Sequence, residues 1–329
     1  MSRVLMCVLL LFLSGCASVP REEALKLGAA GQKAAEAGQA ALADLAGEVG
    51  GFPERSAVLL TVATCTAPAT PSPCGISQAP GDVLTADEKL AGVISLRARA
   101  LSQLHSAYGA FLEEAEYDAA VDIDQSLGEL ADSVNNLAGA MALLSGGTSL
   151  LALPATKIAR KAAGESARTA QKRRLLEASR ALREIDQRLL ELLREEAEVY
   201  QGISEILHSN RLQLADVLLQ AGLLDPRPLV DDFLSRNRLG AAMELEASDP
   251  VVLALARTVH AHQAGRLAAA SRAAYQSHIS AFEALIALHE DFEAGKPLSL
   301  DDVARALGEI RLWAELLEEP DGQAAEEAP

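Results

Sequence analysis

Glutamate and histidine come closest, by residue type and spacing, to forming a metal site in this chain. Glu205 and His208 form one E-x-x-H pair. Di-iron four-helix bundles use this half-motif, but they need two such pairs and further glutamates, and the sequence contains no second pair. His260 and His262 are two residues apart, so on a helix they point about 200° apart and cannot chelate one ion. We therefore predict no metal site and no cofactor.

The other histidines, and the absence of catalytic motifs, argue against an enzyme. His278 and His289 share one helical face with Phe282 and Phe292, which is typical of helix packing. The sequence has no G-x-S-x-G elbow, no H-E-x-x-H pair and no glycine-rich phosphate loop. We therefore predict a protein that is not an enzyme and has no catalytic residues.

Cysteines mark the N-terminus and one loop. Cys65 and Cys74 bracket the first half of a loop, residues 67–80, that contains four prolines. In an oxidising compartment the two thiols are expected to form a disulfide. A C-x8-C pair without further cysteines is a poor zinc site, because structural zinc needs four ligands.

The first 16 residues carry a targeting signal. Arg3 precedes an apolar run from Val4 to Leu13, which is too short to span a bilayer. The run ends in Leu13-Ser14-Gly15-Cys16, which resembles the lipobox of bacterial lipoproteins. The resemblance implies cleavage before Cys16, diacylglycerol on its thiol and N-acylation by palmitate. Ala17 and Ser18 follow, with no Asp at the second position, which resembles the pattern of lipoproteins sorted to the outer membrane. Several acyl chains on one residue provide stable anchoring.

Composition fits an exported, helical protein. The formal charge is −17, and removing Arg3 with the leader gives −17 − 1 = −18 for the mature chain. So acidic a chain is a poor partner for nucleic acid, because binding there depends on neutralising phosphates. Aromatic residues make up only 3% of the chain, which favours close helix packing over a ligand-stacking cleft.

The element around which these residues are arranged is a long helical hairpin, predicted over residues 85–224. Thr85-Ala86-Asp87-Glu88 has the T-x-x-E form of a capping box and predicts the start of the first helix. Two apolar seams follow at spacings of three and four, as in a coiled coil. The second seam comprises Leu175, Ala178, Leu182, Ile185, Leu189, Leu192, Val199, Ile203 and Ile206. Glu196 and Asn210 fall on this seam, where they are predicted to bend it or to set its register.

The turn of the hairpin is free of charge. Residues 133–156, which we call the tip, are 24 residues without a charged side chain. Its apolar and glycine residues are Leu137, Met141, Leu144, Gly146, Gly147, Leu150, Leu151 and Leu153. A basic collar follows, made of Lys157, Arg160, Lys161, Arg168, Lys172, Arg173 and Arg174. An apolar tip with a basic collar is suited to touching a membrane, and the layout resembles α-helical pore-forming toxins related to haemolysin E. The alternative is that the tip packs within the bundle and the collar is a solvated face.

The sequence predicts an all-α fold, an elongated antiparallel helical bundle or coiled coil built on this hairpin. Its segments are a signal peptide (1–15), an N-terminal tether with weak helices and the Pro-rich loop (16–84), the hairpin (85–224), a connector (225–248), C-terminal helices (249–318) and an acidic, disordered tail (319–329). Gly50, Gly51 and Pro53 are predicted to make the chain fold back between the first two segments of helix.

Two functions are open from the sequence. The first is an outer-membrane-anchored lipoprotein on the periplasmic face, acting as a non-catalytic scaffold or adaptor with a protein partner in the cell envelope. The second is a membrane-active protein that forms a pore or a contact through the tip. The membrane is a partner in both, through the acyl chains on Cys16. Neither function involves nucleic acid.

Overall fold

The computed structural model describes residues 21–66, 81–116, 167–240 and 246–318. These residues form seven helices: α1 (Arg21–Gly50), α2 (Phe52–Thr66), α3 (Gly81–Glu116), α4 (Ala167–Gln220), α5 (Arg227–Arg236), α6 (Pro250–Glu293) and α7 (Asp301–Glu318). The described part of the chain contains no strand, and its helices pack against one another. The predicted all-α helical bundle is therefore confirmed.

Two helices end at glycines in the left-handed region. Gly295 follows α6 with φ of 69°, and Lys296 and Gly295 donate backbone hydrogen bonds to Asp291 and Phe292 respectively, the pattern of a Schellman cap. Gly222 ends α4 in the same way, also with φ of 69°. The second long helix therefore stops at Gln220. The sequence prediction placed its end at residue 224 because it took the prolines that follow as the stop signal.

The start of α3 corrects the capping-box assignment. The helix begins at Gly81, so Thr85 lies inside it. Asp249 is the N-cap of α6, since its side chain accepts a hydrogen bond of 2.7 Å from the Val251 backbone N–H, and Pro250 is the first helical residue.

The Gly50–Pro53 stretch does not reverse the chain, and the predicted fold-back is wrong. The Gly51 N–H bonds to the Gly47 carbonyl at 3.0 Å, and the Arg55 N–H bonds to the Gly51 carbonyl at 3.2 Å. Both are i to i−4 bonds of an α-helix, so α2 continues the hydrogen-bond pattern of α1. Pro53 is tolerated because it lies in the first turn of α2, where a missing N–H has the least effect. The Arg55 guanidinium also donates to the Glu48 carbonyl at 2.6 Å.

The chain divides into two compact units, each built from three separate stretches of sequence. Unit 1 comprises Met1–Gly38, Arg99–Leu192 and His278–Leu307, and unit 2 comprises Gln39–Ala98, Leu193–Ser277 and Gly308–Pro329.

Unit 1 has a densely packed apolar core. Its largest fully buried side chains are Leu27, Leu101, Leu104, Tyr108, Phe111, Leu182, Ile185, Phe282 and Phe292. In this unit α1 and α3 are antiparallel and approach closely at glycines. A Cβ on Gly31 would come within 2.2 Å of the Tyr108 ring, and a Cβ on Gly28 within 2.6 Å of Leu112. Gly31 thus lets Tyr108 pack directly against the α1 backbone, and Gly28 does the same for Leu112.

Unit 2 is less completely buried. Its α2 helix has no buried residue among those whose side chains are described, although it is rich in valine and leucine. A small core cluster joins α5 to α6 through Val230, Val252 and Ala256, with Leu229, Leu234 and Leu255 packed against it. The unit therefore leaves apolar side chains accessible on several helices.

Candidate functional site

Most of the residues selected from the sequence lie outside the described residues. These are Cys16, Cys74, the tip residues Leu137, Met141, Leu144, Gly146, Gly147, Leu150, Leu151 and Leu153, and the collar residues Lys157, Arg160 and Lys161. The lipid attachment, the disulfide and the membrane-contacting tip all stay predictions. Cys65 lies near the end of α2, and Arg168 lies in the first turn of α4.

The collar residues that are described do not form one solvated face. Arg173 forms an ion pair with Glu177 at 3.3 Å, one turn along the same helix. Arg174 is buried and donates two hydrogen bonds, from Nε and Nη2, to Oε1 of the fully buried Glu114. Arg174 is therefore part of the interior of unit 1, and its charge is unavailable to a membrane surface. A buried ion pair of this kind is costly to break, since either partner alone would be an uncompensated charge.

A second buried polar group in unit 1 links three helices through His289. Tyr108 Oη donates to Asp186 Oδ2 and lies 2.7 Å from His289 Nε2. On the other side of the imidazole, Ser179 Oγ lies 2.8 Å from Nδ1. The simplest assignment is that Nε2–H donates to Tyr108 and that the Ser179 hydroxyl donates to Nδ1. We call Tyr108, Ser179, Asp186 and His289 the buried polar network.

The buried polar network contains serine, histidine and aspartate, yet its setting is structural. Tyr108, Ser179, Asp186 and His289 are each fully buried, at 0% exposure. Nucleophilic catalysis needs a substrate carbonyl against the serine oxygen, and no solvent-accessible path leads to side chains without accessible surface. Burial, and then the Asp186 carboxylate, raise the pKa of Tyr108 well above its usual value, which keeps its hydroxyl a donor. The network therefore fixes how α3, α4 and α6 meet within unit 1.

The edge of this network is closed by an ion pair. Arg183 donates from Nε and Nη2 to the two carboxylate oxygens of Glu293, each at 3.0 Å. Glu293 Oε1 also lies 3.4 Å from Ser179 Oγ. This fork-to-fork geometry is the strong form of an arginine–carboxylate pair.

The two polar residues on the second seam have partners in unit 2. Glu196 forms an ion pair with Arg97 of α3, and Asn210 Nδ2 donates a hydrogen bond of 3.4 Å to Ser56 Oγ of α2. Burial raises the pKa of Glu196, and the nearby Arg97 offsets part of that rise. Each polar residue therefore aligns α4 with one neighbouring helix, which fits the register-setting role predicted for them.

An aromatic pair in unit 2 joins α4 to α6. The rings of Tyr200 and Tyr275 stack with centroids 5.0 Å apart, and Tyr275 Oη donates to the Leu193 carbonyl at 2.7 Å. The Tyr200 hydroxyl is buried and has no hydrogen-bond partner in the part of the chain that the structure describes. Burial raises the pKa of Tyr200 to about 12.

The histidines form no metal centre in the part of the chain that the structure describes, where no group of three or more metal-binding side chains is found. Burial lowers the pKa of His208 and of His260. Within the described residues, His208 Nδ1 and His260 Nε2 are buried without a hydrogen-bond partner. Glu205, the partner of His208 in the E-x-x-H pair, instead binds Arg272 at 3.1 Å. His278 is buried with neither ring nitrogen hydrogen-bonded, and burial lowers its pKa to about 4.

The exposed large hydrophobic side chains of the described residues all lie in unit 2. Among the described residues the exposed large hydrophobics are Val58, Leu60, Val93, Leu96, Val199, Ile206, Leu223, Leu224, Leu239, Val251 and Leu312. All of them belong to unit 2. Single exposed leucines are ordinary, whereas contiguous exposed apolar patches are typical of interaction sites.

Four of these side chains form what we call the apolar strip. Val199 and Ile206 of α4 are 57% and 58% exposed, and Val93 and Leu96 of α3 are 42% and 41% exposed. The ion pair between Arg97 and Glu196 brings the two helices together beside them. The sequence prediction buried Val199 and Ile206 in the second seam, and for these two residues it is wrong. In this part of α4 the buried residues are instead Leu193, Tyr200, Ser204 and Leu207, each one position after a predicted seam residue. The predicted face is therefore rotated by about 100° from the buried one, and no described helix covers Val199 and Ile206.

The buried polar network was missed by the sequence prediction, although one signal was present. Ser179 and Asp186 are seven residues apart, so they recur on the face that also carries the buried Leu175 and Leu182. Polar residues repeated at seam spacing indicate a buried polar contact. Their partners Tyr108 and His289 lie on other helices and are far away in sequence.

No described helix is long and apolar enough to cross a membrane. In comparisons with known proteins, no family model, no curated protein and no solved structure matches this chain.

Proposed function

We propose that this protein is an outer-membrane-anchored lipoprotein of the periplasm that acts as a non-catalytic helical adaptor. The observation that carries the adaptor role is the confinement of the exposed large hydrophobics, among the described residues, to unit 2. A surface of this kind is suited to binding another protein. The resemblance of Leu13-Ser14-Gly15-Cys16 to a lipobox supports the anchor.

The start of α1 supports a firm attachment of the anchor to unit 1. Only four residues separate Cys16 from Arg21, a span of at most about 18 Å for five extended steps. Arg21 Nε donates to the Ala115 carbonyl at 2.9 Å, and Glu23 accepts a hydrogen bond of 2.9 Å from the Leu298 N–H. Acyl chains on Cys16 would therefore hold unit 1 close to the membrane.

The anchor is tested by replacing the acylated residue. In cells given a tagged fatty acid, Cys16→Ala should abolish labelling and release the protein from the membrane fraction, because no thiol remains at the cleavage site. Cys65→Ala is the matched control and should retain both label and location. Label persisting in Cys16→Ala would refute the lipoprotein proposal.

The disulfide between Cys65 and Cys74 belongs to the same proposal, since an oxidising periplasm would favour it. It predicts no free thiol in denatured, unreduced protein. Alkylation of both cysteines without reductant would contradict it.

A second candidate function, membrane contact through the tip, is favoured by one specific contact. The Arg21 guanidinium also donates to the carbonyl of Glu116, the last described residue of α3. Glu116, the last described residue before the segment that contains the tip, thus contacts Arg21, which lies five residues after Cys16 in the sequence.

Liposome binding separates the two functions. If the tip binds membranes, Leu144→Glu with Leu150→Glu should abolish binding of the unlipidated protein to anionic vesicles, with helicity unchanged. Lack of binding by the unlipidated wild type at low salt would exclude membrane contact and leave the adaptor role alone.

A further inference from the structure

The apolar strip has the geometry of an incomplete coiled-coil seam. Val199 and Ile206 are seven residues apart and therefore lie on one stripe of α4. Within unit 1, α3 and α4 are antiparallel, because Glu114 pairs with Arg174 and Tyr108 with Asp186. Residues that precede Arg97 on α3 therefore lie beside residues that follow Glu196 on α4, which puts Val93 and Leu96 along the same face as Val199.

The centre of the strip permits close approach of another helix. Gly202 lies between Val199 and Ile206 on the same stripe, and a Cβ at this position would meet no atom within 4 Å. A missing side chain at the middle of an exposed seam lets a partner's large apolar residue reach the backbone. The strip can thus accept the alternating large residues of an amphipathic helix.

Charge decides which occupant fits. Glu195 and Glu198 border the strip, are exposed, and make no ion pair within the described ranges. A partner helix with lysine or arginine beside its apolar stripe would complement these carboxylates. A second copy of this chain is disfavoured, because each copy has a formal charge of −17 and like charges repel.

We propose that the apolar strip of unit 2 docks a basic amphipathic helix of another protein, with apolar residues at heptad spacing and cationic residues on its flanks. The helix extends the α3–α4 pair by continuing the seam of Val199 and Ile206. This inference rests on the proposed adaptor role and names the class of partner for it.

The test uses two synthetic helical peptides of four heptads. Both carry leucine at positions a and d; one carries lysine at e and g, and the other carries glutamate there. Binding of the fluorescently labelled peptides to residues 16–329 with Cys16→Ser is measured by anisotropy at low ionic strength, where rim charges act most strongly. We expect the lysine peptide to bind about tenfold more tightly than the glutamate peptide, because two rim carboxylates are attracted in one case and repelled in the other.

Three variants locate the binding. Val199→Gln with Ile206→Gln should weaken binding of the lysine peptide at least tenfold, since it removes the apolar centre of the contact. Leu239→Gln with Val251→Gln, the matched change of two exposed apolar residues outside the strip, should leave binding as in the wild type. Glu195→Lys with Glu198→Lys should reverse the preference in favour of the glutamate peptide.

Each other outcome overturns the proposal. Equal binding of both peptides, no binding of either, or unchanged binding by the Val199→Gln, Ile206→Gln variant refutes a basic helix on the strip. Dimerisation of the wild type in sedimentation, abolished by that variant, would assign the strip to a second copy instead. None of these results affects fatty-acid labelling at Cys16, so failure of the docking site is distinguishable from failure of the lipoprotein proposal.

Discussion

Replacing His278 by leucine should stabilise this protein, and the gain should be larger in mild acid than at neutral pH. The imidazole is 6% exposed, and neither Nδ1 nor Nε2 has a hydrogen-bond partner within the described residues. A buried polar group without partners destabilises the folded state, so an apolar side chain of similar size is favoured there. His278 Nδ1 also lies within 3.8 Å of where a Cβ on Gly38 would be, so the site is closely packed.

The pH dependence follows from the pKa of this one group. Burial alone lowers the pKa of His278 from 6.5 to about 4 in the folded protein. Between those two values the unfolded chain binds a proton that the folded protein does not, so stability is complete above pH 6.5 and falls as the pH drops towards 4. Moving from about pH 7.5 to about pH 5 should cost the wild type about 2 kcal/mol through His278.

The assay is urea unfolding of wild type and His278→Leu at both pH values, followed by circular dichroism. The difference in unfolding free energy between the two proteins should grow by about 2 kcal/mol at the lower pH, since all other groups titrate alike in both. His262→Leu, at an exposed position on the same helix, is the control. Its difference in unfolding free energy from the wild type should be the same at both pH values. An equal gain at both pH values would show that His278 is not held neutral by burial.

Three further substitutions test the packing described above, each by urea unfolding. Gly31→Ala should destabilise the protein by about 1–3 kcal/mol, because its Cβ would come within 2.2 Å of Tyr108. In the control, Gly47→Ala on the same helix, the Cβ meets nothing within 4 Å, so this variant should be stabilised by about 0.5–1 kcal/mol. Equal effects of the two substitutions would contradict the close approach of Tyr108 to Gly31. Tyr108→Phe should lower the free energy of unfolding by about 1–3 kcal/mol, because Asp186 and His289 each lose a hydrogen bond. Tyr200→Phe removes a hydroxyl that has no partner among the described residues, so it should be neutral or stabilising. A larger loss for Tyr200→Phe than for Tyr108→Phe would refute the hydrogen bonds of Tyr108. Arg174→Met should lower the free energy of unfolding by about 3–5 kcal/mol, because it removes the guanidinium that pairs with the buried Glu114 carboxylate. A loss below about 1 kcal/mol would mean that the pair is solvated.

The fold class could be predicted from the sequence because it depends on local signals. Apolar residues at spacings of three and four lie within a few residues of one another, and the helices that this spacing predicts are found in the structure. The end of α4 was misplaced although its signal, Gly222, is also local, because two prolines just beyond it suggested a later stop.

The candidate site was harder to predict from the sequence, because it depends on what lies opposite a helix face. The spacing of Val199 and Ile206 shows that they share a stripe, but it cannot show whether another helix covers that stripe. The continuation of the helix through Gly51 has a similar cause. Glycine and proline weaken a helix locally, while the arginine contact to the Glu48 carbonyl across the break supports it.

The buried polar network also constrains the order in which the chain can fold. Tyr108 reaches Asp186 across 78 residues and His289 across 181. Contacts between residues so far apart in sequence slow folding, because the intervening chain must be closed into a loop first. A lipoprotein would be exported from its N-terminus, so α3 and α4 would cross the membrane before the helix that carries His289. Until that helix follows, Tyr108, Ser179 and Asp186 remain hydrated. Unit 1 can then close only after nearly the whole protein has been delivered, and a chain truncated before His289 would leave three polar side chains to be buried without their common partner.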